Sequence, residues 1–292
     1  MSAPWKLCAF GILAAVVLLL PLRGSAQEPP YFVTYSHHLE EPGNLEIEFN
    51  PVLGTQRAGN SYLAASTEFE YGVKAWWTSE FYLDGQSTFG DSSVFTGFRW
   101  ENRFRPLMRE YWINPLIYIE YENINEADKA MTEVVGSDNG SDYAPPNPGL
   151  RAGRNHELEA KLVLSSDFKG WNVSEDFITE RNLGHDPYEF GYAVGASRPL
   201  ALAASPRWCS FCAENFLVGA EFYGGLGDTR NLSTAGTSHY GAAILGWQLP
   251  NGATFRASPG FGLNGDSHRF ILRWGLSYEI PRLGSHLRSL FR

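Results

Sequence analysis

The last long alternation in the chain, "RFILRWGLSYEI" over residues 269–280, puts Phe270, Leu272, Trp274, Leu276, Tyr278 and Ile280 on one face. Arg269, Ile271, Arg273, Gly275, Ser277 and Glu279 fall on the other, because successive side chains of a strand point to opposite sides. The same period of two recurs along the chain. Leu45, Ile47 and Phe49 oppose Glu46 and Glu48; Leu63, Phe69 and Tyr71 oppose Ser66, Glu68 and Glu70. Phe98, Trp100 and Phe104 oppose Arg99, Glu101 and Arg103; Ile117, Ile119 and Tyr121 oppose Glu120 and Glu122. Leu158, Leu162 and Leu164 oppose Glu157, Glu159 and Lys161; Phe190, Tyr192 and Val194 oppose Glu189, Gly191 and Gly195. Weaker alternation covers 73–84, which carries Glu80, and 171–181, 214–225, 237–248 and 252–263. Together these runs predict twelve strands, most near the roughly 9–11 residues that a tilted membrane strand needs.

Each predicted strand has one greasy and one polar wall, which suits either a protein core or lipid. Beside strand length, two features favour lipid. The polar wall is rich in Gly and Ser and mixes Arg among Glu, which fits a crowded interior better than an open surface. The gaps between strands alternate, with short ones at 72, 105–110, 169–170 and 249–251 and the longest at 123–156, as in barrels with short periplasmic turns and long external loops. The gap at 198–213 breaks this alternation. No mature segment is long and apolar enough for a membrane helix, so only a closed barrel could span.

Residues 1–26 read as a secretory signal peptide: Lys6, then fourteen apolar residues from Leu7 to Leu20, then Pro21 and the small Gly24-Ser25-Ala26. Cleavage there takes the formal net charge from −9 to −11, which argues against a nucleic-acid partner. Export to an oxidising compartment makes Cys209 and Cys212 a candidate disulfide; zinc would need two further ligands.

The run Arg273, Gly275, Tyr278, Ile280 resembles the C-terminal assembly signal of Gram-negative outer-membrane β-barrel proteins of the porin or transporter type. The resemblance implies insertion by the outer-membrane assembly machinery into outer-membrane lipid. The motif spans eight residues; family members often end at an aromatic residue, whereas here the tail "PRLGSHLRSLFR" follows, with Phe291 penultimate.

The expected architecture is all-β: a transmembrane antiparallel up-and-down barrel over 43–281, with an N-terminal periplasmic segment at 27–42 and a C-terminal tail at 282–292. The inward charges Glu46, Glu48, Glu68, Glu70, Glu80, Arg99, Glu101, Arg103, Glu120, Glu122, Glu157, Glu159, Lys161, Arg269 and Arg273 are the candidate lumen lining. They suggest a channel or transporter for small solutes, with a packed ion-pair plug as the bland alternative. His37, His38, Glu40 and Glu41 could ligate a transition metal but meet no ligand spacing, and read as a solvated segment. An outer-membrane lipid or ester hydrolase is the enzyme alternative, and a non-conducting adhesive barrel is a third. For a hydrolase, Ser238-His239 and Ser267-His268 point their side chains apart and no G-x-S-x-G elbow is present. No catalytic residue and no cofactor are implied.

Overall fold

The computed structural model describes residues 29–57, 59–184, 186–202 and 209–284. The expected signal peptide and most of the C-terminal tail lie outside these residues. The alternating runs form β1 (Leu45–Thr55), β2 (Tyr62–Lys74), β3 (Trp77–Thr88), β4 (Ser93–Phe104), β5 (Asn114–Asn125) and β6 (Arg154–Phe168). They continue as β7 (Trp171–Asn182), β8 (Glu189–Pro199), β9 (Phe216–Asp228), β10 (His239–Gln248), β11 (Ala253–Gly262) and β12 (Phe270–Ile280). Every strand pairs antiparallel with its sequence neighbours, and β12 pairs with β1. The sheet closes, so no strand edge is left open.

The outward wall is apolar around the circumference. Phe49, Phe81, Leu83, Trp100, Ile117, Ile119, Leu158, Leu162, Phe177, Phe222, Leu245 and Leu276 are all exposed, far more than a water-facing surface carries in one band. Aromatic rings mark the end where β1 begins. Trp76 and Trp77 stack with Phe104, Trp112 meets Phe168, and Phe211 and Phe216 flank Trp247. Such rings suit the boundary between hydrocarbon and headgroups.

Two segments outside the strands fill the interior. Residues 29–44, which take in most of the N-terminal segment expected at 27–42, fold into the lumen from the end where β1 begins. The amides of Phe32, Val33 and Thr34 all donate to the carboxylate of Glu221 on β9 (2.8–3.3 Å), and the Tyr35 amide donates to Asp176 on β7 (2.7 Å). A strap with no strand of its own thus finds partners for its backbone, as buried peptide groups must. Pro30 lies against Gly246 and Tyr31 against Gly195, where any Cβ would collide with them.

From the opposite end the β5–β6 loop, residues 126–153, descends into the barrel. Ala130, Met131, Val134 and Val135 are buried and cluster with Val33 of the strap and with Tyr62, Ile178, Tyr223, Tyr240 and Ile271 of the wall. Strap and loop therefore share one apolar cluster with the wall.

Candidate functional site

The interior surface is a charged wall facing an aromatic one. Among the described residues, buried carboxylates outnumber buried cations twelve to five. Of the five, Lys129 of the descending loop donates to Asn147 Oδ1 (3.0 Å), and the other four, with the part-buried Arg256, are fastened as follows. Arg103 on β4 reaches Glu70 on β2, Glu80 on β3 and Glu101 on its own strand. Arg99 binds Asp84 through two bonds (2.9 and 3.1 Å) and approaches Glu120 (3.6 Å), with Tyr82 beneath its guanidinium at 4.5 Å. Lys161 on β6 joins Glu159 (3.0 Å) to Glu133 of the descending loop (2.8 Å) and sits over the rings of Tyr118 and Tyr35. Arg256 on β11 pairs with Glu48 on β1 and donates to the strap carbonyl of Tyr31. Arg273 on β12 donates to the loop carbonyl of Met131. Lys161, Arg256 and Arg273 thereby fasten the two inserted segments to the wall.

The strap, the loop and the strands β1–β4 and β9–β12 line a cavity of about 240 Å³. It opens toward the end where β1 begins and is lined by Glu46, Glu48, Glu68, Glu70, Arg103 and Arg256 among others. Ala130 and Thr132 of the loop stand among its walls. Its volume lies below the roughly 300–1,000 Å³ typical of pockets for drug-sized ligands.

The expected lining residues fall as follows. Glu46 is half-buried near the end of the cavity, and Glu48, Glu68, Glu70, Glu80, Arg99, Glu101, Arg103, Glu120, Glu122, Glu159, Lys161 and Arg273 are buried inside. Glu157 is half-buried. Arg269 departs from expectation: it is exposed, one residue before β12, with its amide donating to the Thr55 carbonyl and its carbonyl accepting from the Gly262 amide. The loop that leads into β12 does not keep the strand's alternation. β12 lies beside β1, and the register sets Arg273 opposite Val52; Arg256, one strand further on, takes the Glu48 carboxylate. Asp84, Asp176, Glu221 and Arg256 were not singled out from the sequence. Each occupies an inward position of a strand, which alternation could have flagged. Glu133 lies in the aperiodic loop and had no such signal.

Cys209 and Cys212 are joined as a disulfide in the β8–β9 connection, at the same end as the strap. The carboxylates expected beside His37 and His38 are elsewhere: Glu40 binds the amide of Glu41.

The hydrolase reading can be examined directly. Ser238 Oγ donates to the Asp266 carbonyl and Ser267 Oγ to that of His239, while His239 meets Tyr192 and His268 meets Tyr62. Ser165 Oγ does lie 3.0 Å from His37 Nδ1, with Glu110 2.8 Å from Nε2. Yet Ser165 is 1% exposed, and its oxygen is already engaged by Asn172 and Ser174. A nucleophile needs room for an acyl group beside it, and this hydroxyl has none.

No protein-family model matches the chain, and no curated protein matches it. Among solved structures, an outer membrane channel from Pseudomonas putida F1 is similar, with a TM-score of 0.55 at 9% identity over 87% of this chain and 100% of that one. A KdgM porin in complex with disordered oligogalacturonate gives a TM-score of 0.46 at 6% identity over 80% of this chain and 98% of that one. The NanC porin gives 0.46 at 11% identity over 81% and 100%. The first of these likenesses supports the fold: a closed twelve-stranded antiparallel barrel of the outer-membrane type.

Proposed function

We propose that this protein is a gated outer-membrane channel for small solutes, with a preference for cations, whose resting state is closed by its own strap and loop. The observation that carries the reading is the interior itself. A lipid-facing barrel encloses buried carboxylates in excess of cations, and what closes it is two inserted segments, not a continuous apolar core. A ring of carboxylates favours cations by field. The apolar contact between Val33 and the 130–135 stretch is the constriction, and solute passes only when one of the two withdraws. The chain would reach the membrane through its signal peptide, with Arg273, Gly275, Tyr278 and Ile280 read by the assembly machinery and both termini periplasmic.

Planar-bilayer recording tests this. Folded protein should conduct in brief events, and deletion of residues 29–40 should lengthen them and raise the mean current. The reversal potential in a KCl gradient should report cation preference. A folded barrel that stays silent with strap and loop both shortened would defeat the reading.

A further inference from the structure

The two adjacent histidines of the strap do something a strand does not allow. Neighbouring side chains of an extended segment point apart, yet a bend at His37 turns both rings to one side, with centroids 4.3 Å apart. Both aim Nε2 at the same atom, Asp167 Oδ2 near the end of β6, at 3.8 Å for His37 and 3.0 Å for His38. Glu110, from the β4–β5 connection, places Oε2 2.8 Å from His37 Nε2.

We infer that His37, His38 and Asp167 form a binding site for one divalent transition-metal ion of the zinc class, with Glu110 placed to supply a fourth ligand. Three of the donors lie within 4.8 Å of one another. In a tetrahedral site with bonds of about 2.0–2.1 Å, ligand atoms stand about 3.3 Å apart, and the separations of 3.0 and 3.8 Å bracket that figure. Two imidazoles with carboxylates suit zinc, cobalt, nickel or copper better than calcium or magnesium.

The outer partners are also in place. His37 Nδ1 is turned away from the cluster onto Ser165 Oγ (3.0 Å), so Nε2 is the ring atom left to face the carboxylates. Asp167 Oδ1 is held by Asn172 Nδ2 (2.6 Å), leaving Oδ2 to the histidines. Ligands of real metal sites are oriented by such second contacts. Burial, and then the neighbouring His38, lower the pKa of His37. Without a metal, the pair would bring two imidazoles against one carboxylate oxygen, and protonating both would stack two cations.

The consequence is mechanical. His37 and His38 belong to the strap, Asp167 to the wall and Glu110 to a turn, so a bound ion staples the strap inside the barrel. Binding itself does not depend on the channel reading, and is measured without conductance.

Titration calorimetry of untagged, detergent-solubilised protein with zinc chloride should give one ion per chain, and cobalt chloride should give the intense visible bands of a tetrahedral centre. His38→Ala and Asp167→Asn should each abolish both signals, while His156→Ala leaves them intact. Both altered side chains are part-exposed (29% and 43%), and heat-modifiable gel migration confirms that each variant is folded. Asn172→Ala should weaken binding about 10–100-fold. The proposal is overturned if folded protein takes up no stoichiometric ion, or if uptake survives in the His38→Ala/Asp167→Asn double variant.

Discussion

The Arg256 guanidinium on β11 and the Glu48 carboxylate on β1 form an ion pair that spans β12, the strand between them. Gly275 makes the crossing possible: it lies opposite Arg256 in the register, and a Cβ there would stand 2.5 Å from Glu48 Oε1 and 2.6 Å from Asn50 Oδ1. The glycine of the run that resembles an assembly signal therefore has an explanation inside the barrel. Gly275→Ala should displace the pair without changing strand order, at a cost of about 1–3 kcal/mol for overpacking. Gly275→Val should cost more. The check is the temperature at which the folded band on a gel converts to the unfolded one. An unchanged midpoint in both variants would mean that the crossing is slack.

Lys161 should hold the descending loop. Its ammonium stands between Glu159 of the wall and Glu133 of the loop. Lys161→Met leaves both carboxylates buried without their cation, and breaking a buried pair costs about 3–5 kcal/mol. Loop withdrawal relieves that cost, so residues 126–153 should become sensitive to protease while the strands stay protected. A combined Lys161→Met/Glu133→Gln chain should recover part of the protection.

Acid should loosen the same loop through His268. This ring is fully buried beside Tyr62, Tyr143 and Tyr240, with Gly140 of the loop close by and Nδ1 without a hydrogen-bond partner among the described residues. Burial, and then Arg273, pull its pKa down from 6.5 to about 4. The folded protein thus binds the proton less readily than the opened one. Stability is full above pH about 6.5 and falls as pH drops toward 4, by at most about 3 kcal/mol. Hydrogen exchange at 138–143, corrected for intrinsic rates, should accelerate over that window. His268→Phe should remove the dependence; a wild-type profile already flat there would refute the assignment.

The disulfide should matter little. Cys209 and Cys212 enclose a span of only four residues, for which loop-closure entropy gives about 2 kcal/mol. Reduction should shift the unfolding temperature slightly and leave the barrel closed. Complete loss of the folded gel band under dithiothreitol would contradict this.

The wall of the barrel was legible in the sequence and its contents were not. Alternation such as Phe98, Arg99, Trp100, Glu101 writes the inside and outside of a strand directly into the order of residues, and strand order follows from short turns. The strap carries no period. "YFVTYSHHLE" could line a surface or a lumen, and what settles it is Glu221 and Asp176, distant in sequence, waiting for its amides. The first strand's true salt-bridge partner was obscured in the same way. Pairing of β12 with β1 could be foreseen, but not the register that puts Val52 opposite Arg273 and leaves Glu48 to Arg256. His37 and His38 stood out by composition alone; the carboxylates that complete their cluster come from 73 and 129 residues away.

Residues 29–44 lie inside a wall that exists only once β12 has met β1. The first residues of this region in chain order are therefore enclosed only when the last strand closes the sheet, and assembly has an order built into it. Either the sheet curls around a strap already bound to β7 and β9, or an empty cylinder forms and is stoppered afterwards through its open mouth. In the second case the stopper need not be covalent. A barrel beginning at Asn44 would be a receptor for its own missing peptide.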